Sequence, residues 1–161
     1  MAHTSEPHFN RADRALYTFI EQVAADAITR NARTVSRGMT LSELGDRFEK
    51  DDFNAYPVEE NSQVVGLVSK FDFLACFVFT TAHMIPRYDD LMKQTVADIM
   101  TPDFIYVRVE TKLTRVLQLM VDHRIRSIPV IEGDQRLVGM ISREDVMRAL
   151  QRCVSGKTQP R

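Results

Sequence analysis

The sequence predicts an α+β fold: two β-α-β-β-α repeats packed as a pseudo-twofold pair, with an extra helix on the N-terminal side. Three observations carry this reading. First, the chain repeats itself. Ala55-Tyr56-Pro57-Val58-Glu59-Glu60 recurs as Ser127-Ile128-Pro129-Val130-Ile131-Glu132, and Val65-Gly66-Leu67-Val68-Ser69-Lys70-Phe71-Asp72 recurs as Val138-Gly139-Met140-Ile141-Ser142-Arg143-Glu144-Asp145. Second, each repeat holds two short apolar segments around a polar turn, the pattern of a hairpin. Third, each repeat opens on an amphipathic helical stripe.

The elements follow in order. Residues 1–10 are polar and are expected to be flexible. Ala12, Ala15, Leu16, Phe19, Ile20, Val23, Ala24, Ala27 and Ile28 keep i, i+3, i+4 spacing, which predicts a helix within 11–30. The first repeat covers 28–79. It has a brief strand at 33–36, then Leu41, Leu44 and Phe48 on one helical face behind Thr40, with Glu43 completing a capping box. Strands at 55–59 and 63–69 flank Asn61-Ser62, and a second apolar helix starts near Ser69 and fills 70–79. The connector 80–95 contains Pro86 and Arg87-Tyr88-Asp89-Asp90; it is long for a linker, so it is expected to be ordered. The second repeat covers 96–151. It shows a strand at 105–109, the stripe Leu113, Val116, Leu117, Met120 and Val121, strands at 127–132 and 136–142 around Gly133-Asp134, and a helix from Ser142. Residues 152–161 are expected to form a flexible tail. A three-stranded sheet with two helices on one face cannot bury its other surfaces alone, whereas two such units packed together can.

Bulk properties narrow the function. Of 161 residues, 44% are hydrophobic, enough for a core. Lys and Arg total 21 against 22 Asp and Glu, giving a net charge of −1 with no footprint for nucleic acid or an anionic membrane. No apolar run reaches the length of a membrane span, and the polar N-terminus lacks a signal-peptide core, so a cytoplasmic protein is expected. Cys76 lies in an apolar run far from Cys153, so no disulfide framework is implied. Of His3, His8, His83 and His123, only the His3/His8 pair is close in sequence, and no nucleophile elbow, Walker loop or dinucleotide fingerprint is present. The expectation is a non-enzyme that requires no cofactor or metal.

The Pro-Val strand, the strand ending Gly-h-h-Ser-x-x-Asp (h, apolar) and the lead-in Val96-Ala97-Asp98-Ile99-Met100-Thr101-Pro102 together resemble the cystathionine-β-synthase-type (CBS) domain pair, of the short stand-alone bacterial kind. That resemblance covers nearly all of 23–151. It implies two clefts between the repeats that bind an adenosine-containing ligand: AMP, ADP, ATP or S-adenosylmethionine. By the same resemblance Ser69 and Asp72, and Ser142 and Asp145, hold the ribose. Chemistry suits the role: a carboxylate accepts both hydrogen bonds of a vicinal diol, and a serine at a helix start sits beside free N–H groups. The glycine before each serine would keep the strand slim for an approaching nucleoside. The bland alternative stays open, since Ser-x-x-Asp at a helix start is also a capping box that needs no ligand.

The two clefts are expected to differ. Basic residues before the Pro-Val strand contact phosphate in the family, typically from the partner repeat. Arg124 and Arg126 hold those positions in the second repeat, and Asp52 and Asn54 in the first. A phosphate facing Asp51 and Asp52 would be repelled unless an arginine or metal intervened. The better phosphate site is therefore expected at Asp72, with Arg126 reaching over. The lead-in containing Thr101 shapes the base side, with Ile105 and Tyr106 in one repeat and Arg33 and Thr34 in the other; Ile28-Thr29-Arg30 departs from the lead-in pattern, which puts the first cleft's base side in doubt. The expected partners are a second copy in a homodimer and a separate effector protein, since no effector domain is attached. A purely structural dimerisation module with empty clefts is the rival reading.

Overall fold

The computed structural model describes residues 10–78 and 87–156. His3, His8, His83, the segments 1–9 and 157–161, and the stretch 79–86 of the connector lie outside the described residues.

Helix α1 spans Arg11–Glu21 and starts on a capping box: Asp13 N donates to Asn10 Oδ1 (3.0 Å) and Asn10 N to Asp13 Oδ2 (3.1 Å). It buries Ala15 and Phe19 and stops at Glu21, well short of the expected 30. The cause is capture of the following backbone by the second repeat. Leu113 N donates to Gln22 O (2.9 Å), Ala24 N to Thr111 O (2.7 Å) and Ala25 N to Val109 O (2.9 Å). A single 3-10 turn, Ala24–Asp26, follows, with Asp26 Oδ2 accepting from Val23 N (2.9 Å). Ala24, Ala27 and Ile28 remain apolar because they pack into a core, but not as a helix.

The first unit comprises β1 (Val35–Ser36), α2 (Leu41–Asp51), β2 (Ala55–Glu60), β3 (Gln63–Ser69) and α3 (Lys70–Ala75). Thr40 and Glu43 form the expected capping box. The strand order is β1-β2-β3, with β1 parallel to β2 and β2 antiparallel to β3, Ala55 opposite Ser69. Asn61 and Ser62 both adopt left-handed φ (51° and 63°), the conformation that closes a two-residue hairpin in register with strand twist. Two short helices follow, α4 (Tyr88–Met92) and α5 (Val96–Ile99). The second unit has α6 (Leu113–His123), β4 (Ser127–Glu132), β5 (Arg136–Ser142) and α7 (Arg143–Ser155).

The second unit's leading strand is reduced to one bridge, Val107 parallel to Val130. Beyond it the chain turns, because Arg108 N donates to Thr111 Oγ1 (3.0 Å) and Val109 O is taken by Ala25. Helix α7 runs through Ser155, so the tail expected from 152 begins as helix. Cys153 packs against the core there and accepts from Gln22 Nε2 (3.3 Å), and Gly156 at φ 69° ends the helix. Both cysteines are free, and burial pushes both thiols above their usual pKa. Cys76, in its apolar run, is half-buried.

Two apolar cores result, and each is completed by the segment that precedes the other repeat. Leu91, Met92 and Val96, ahead of the second repeat, join Leu41, Leu44, Tyr56 and Val58 of the first. The described part of the connector is therefore ordered by burial. Phe19 and Ala24, ahead of the first repeat, join Leu113, Val116, Ile128 and Val130 of the second. Backbone pairing repeats the exchange. Thr29 bridges Met140 of β5 (N–H···O 2.9 and 3.0 Å), and Thr101 bridges Leu67 of β3 (2.8 and 3.0 Å).

This exchange explains the two repeat glycines. A Cβ on Gly139 would stand 2.5 Å from Thr29 O and 2.7 Å from Ile28 Cγ1; one on Gly66 would stand 3.0 Å from both Thr101 O and Met100 Sδ. The glycines admit the exchanged lead-in, not an approaching nucleoside as the sequence suggests.

Candidate functional site

Strands β3 and β5 end in serines that cap the helices after them. Ser69 N and Oγ both donate to Asp72 Oδ2 (2.7 and 2.6 Å), and Asp72 N donates back to Ser69 Oγ (3.1 Å). Ser142 and Asp145 repeat the arrangement at 2.7, 2.8 and 3.2 Å. Each carboxylate thus commits Oδ2 to its cap and keeps Oδ1 for other work. Capping is real in both repeats, and it leaves one oxygen per aspartate.

That second oxygen distinguishes the clefts. Among the described residues, Oδ1 of half-buried Asp72 has no hydrogen-bond partner. Asp145 is buried, and its Oδ1 accepts from Thr29 Oγ1 (3.4 Å) and from the Arg148 guanidinium one helical turn on. Ala75 stands where Arg148 would be in the first repeat. Sequence reasoning missed both Arg148 and Thr29. The i, i+3 spacing from Asp145 was the signal for the first, and the alignment with Thr101 for the second.

The exchange of lead-ins reassigns the cleft walls. Thr101 pairs with Leu67 of β3, the strand ending at Ser69, so the Met100-Thr101-Pro102 lead-in runs along the first repeat's hairpin. The divergent Ile28-Thr29-Arg30 lies on β5 and borders the cleft of Asp145. Antiparallel pairing runs such that Ser127 faces Ser142, and Arg143 N donates to Arg126 O (3.0 Å). The backbone therefore sets Arg126 against the start of its own repeat's helix α7. Its side chain is exposed.

The remaining candidates are dispersed. Arg33 forms an ion pair with Asp51 (2.5 Å), whose other oxygen lies 2.8 Å from the Tyr56 hydroxyl. That hydrogen bond, and then Arg33, hold the Asp51 carboxyl below its usual range. Burial, then Asp51, push the Tyr56 phenol upward. An arginine therefore does intervene at Asp51, and Lys70 lies 3.4 Å from Asp52. Thr34 is half-buried just before β1. Ile105 and Tyr106 line an open groove of about 550 Å3 shared with Phe104, Arg108, Arg115 and Leu119; none of the two Ser-Asp pairs lines it. Arg124 and Asp52 occupy matched left-handed positions (φ 54° and 51°) after α6 and α2, which supports the repeat alignment. Among the described residues no group of His, Cys, Asp or Glu is placed to hold a metal ion, and no helix is long and apolar enough to cross a membrane.

A duplicated β-α-β-β-α unit, each copy with a Ser-Asp capped helix start and with the other copy's lead-in paired to its last strand, defines a tandem repeat pair. Residues 23–78 and 96–152 match the sequence profile of the CBS domain, and the chain belongs to that family. Protein MJ1225 of Methanocaldococcus jannaschii is 26% identical over 140 residues, 84% of this chain and 50% of that protein. Its structure superposes with a TM-score of 0.75 at 22% identity, covering 87% of this chain and 53% of that one. CBSX2 of Arabidopsis thaliana is 28% identical over 111 residues, 57% of this chain and 47% of its own length. Its structure in complex with AMP matches with a TM-score of 0.68 at 25% identity, over 81% and 96% of the two chains. The CBS pair of protein MJ0100, in complex with 5′-methylthioadenosine and S-adenosyl-L-methionine, shares the fold (TM-score 0.66, 21% identity, 85% and 98% covered). The chain spans about half the length of the curated relatives it matches first.

Proposed function

We propose that this chain is a cytoplasmic ligand-sensing regulatory module. It binds an adenosine-containing ligand in its inter-repeat clefts and passes occupancy to a separate partner protein. The observation that carries this is the pair of Ser-x-x-Asp helix starts, each beside the other repeat's lead-in, in a family whose member CBSX2 has been solved with AMP. In this reading Asp72 and Asp145 accept the ribose diol through Oδ1, and Ser69 and Ser142 hold the carboxylates in place. The lead-in at Thr101 serves the base at Asp72, and Thr29 and Thr34 serve it at Asp145. Arg33 acts indirectly, by neutralising Asp51. The phosphate belongs to the Asp145 cleft, where Arg126 and Arg148 stand, rather than to the Asp72 cleft.

The partner reading is a homodimer. Phe71 (79% exposed) and Leu74 (61%) on α3, with Met147 and Val154 on α7 and Leu16 on α1, form apolar helix faces that a monomer leaves in water. A structural dimerisation module is favoured by one fact: both capping boxes are complete without a ligand.

Isothermal calorimetry with AMP, ATP, adenosine and S-adenosylmethionine separates the two readings. Asp72→Ala and Asp145→Ala each remove a charged acceptor for a diol, which costs ~1.5–3 kcal/mol, so affinity falls about tenfold or more at the occupied cleft. Arg126→Ala weakens AMP more than adenosine. Absence of binding of any of the four at millimolar concentration overturns the sensor reading and leaves the structural module.

A further inference from the structure

We propose that Arg148 is a specificity-determining residue that makes the Asp145 cleft select anionic nucleotides over neutral nucleosides. This rests on the reading that Asp145 takes the ribose. The Asp145 side chain is 7% exposed and its Oδ2 is committed to the cap, so a diol has only Oδ1 to bind. That oxygen already holds the Arg148 guanidinium and the Thr29 hydroxyl. A ribose entering the cleft must displace the guanidinium.

Breaking an ion pair on a buried carboxylate is costly unless the freed charge finds another partner. A phosphate supplies one. The guanidinium presents a fork of N–H donors that matches phosphate oxygens in bidentate fashion. Arg148 is 62% exposed, so its head can swing from Oδ1 to a phosphate without unpacking the core. Adenosine offers the diol but no anion, and leaves Arg148 without a partner. The same arginine therefore opposes a neutral nucleoside and favours its phosphorylated form. The first repeat has Ala75 at this position and an Asp72 Oδ1 with no partner among the described residues, so it lacks the device.

The test is calorimetry of AMP and adenosine on Arg148→Gln, Arg148→Lys and Asp145→Ala, all in an Asp72→Ala background that silences the first cleft. Thermal melting confirms that each variant folds. Arg148→Gln should tighten adenosine about threefold or more while weakening AMP, so that the AMP-to-adenosine preference falls about tenfold. Arg148→Lys keeps the charge and should retain part of the preference. A residue that only touched phosphate would leave adenosine unchanged, and that result overturns the gate; so does equal weakening of both ligands. AMP binding that survives Asp145→Ala also overturns it, because the ligand is then elsewhere. If neither compound binds the unmodified protein, it is the sensor reading itself that has failed, and the gate falls with it.

Discussion

Gly139→Ala tests the exchanged lead-in directly. The added Cβ would lie 2.5 Å from Thr29 O. Ordinary carbon–oxygen contact begins near ~3.3 Å, so the Thr29 carbonyl must retreat by about 0.8 Å. That carbonyl accepts from Met140 N at 3.0 Å, and Thr29 N donates to Met140 O at 2.9 Å. Both bonds stretch together, at ~0.5–1.5 kcal/mol each. The Ile28 side chain, 2.7 Å from the new methyl, must repack as well, for about another 1 kcal/mol. Against this, Gly→Ala reduces unfolded-state freedom by ~0.4–1 kcal/mol. The net expectation is a loss of about 2–3 kcal/mol, which moves a urea midpoint down by roughly 1 M or more. Gly66→Ala should lose less, about 1 kcal/mol, because its contacts start at 3.0 Å and one is the flexible Met100 thioether. Gly38 has nothing within 4 Å of its would-be Cβ, so Gly38→Ala should leave the midpoint unchanged or slightly raised. Equal midpoints for Gly139→Ala and Gly38→Ala would refute the claim that the first lead-in is seated on β5.

Three further outcomes are expected. Tyr56→Phe removes the hydroxyl that lies 2.8 Å from Asp51 and 3.0 Å from Arg47 O, and should cost ~1–2 kcal/mol in denaturation. Because the Asp51 carboxyl is held below its usual range, its contribution is full above the unfolded value, about pH 4, and is lost as pH falls through the lower folded value. Melts of wild type and Asp51→Asn should thus differ at neutral pH and converge in acid; a gap that stays constant with pH contradicts the assignment. Light scattering at micromolar concentration should give twice the 18.5 kDa chain mass, and a monomer mass would remove the homodimer.

What was legible in the sequence was local. The hairpins could be read because polar turns, Asn61-Ser62 and Gly133-Asp134, separate short apolar segments; Asn61, Ser62 and Gly133 adopt left-handed backbone there. The start of α2 could be read because Thr40 and Glu43 sit three apart ahead of an apolar stripe. The helix expected within 11–30 ends early because Ala24, Ala27 and Ile28 stay apolar to serve a core that they reach through a 3-10 turn and the chain after it, not an α-helix. An apolar side chain records burial, not the backbone that delivers it. The destination of each lead-in was illegible, since nothing near Thr29 or Thr101 names its partner strand. That single unknown moved the lead-ins between clefts. Arg126 was set at Asp72 for a separate reason, a family expectation of reach between repeats. Arg33 was set on the base side by analogy with its repeat mate. Ile105 is apolar where Arg33 must answer Asp51, and the repeat hides that difference.

The crossed seating of Thr29 and Thr101 also sets an order on assembly. Thr29 is synthesised well before its seat on β5, which is made only once Met140 has emerged. Until then Ile28 and the open flank of the 3-10 turn have nothing to cover them. Contacts of such sequence separation are closed late and slowly, and the nascent first repeat must wait with an unfilled edge, the kind of surface that recruits chaperones or mispairs with a neighbouring chain. The first repeat's own strand β3 gains its cover sooner, when Thr101 arrives, so the two clefts mature at different times during synthesis despite their near-identical architecture.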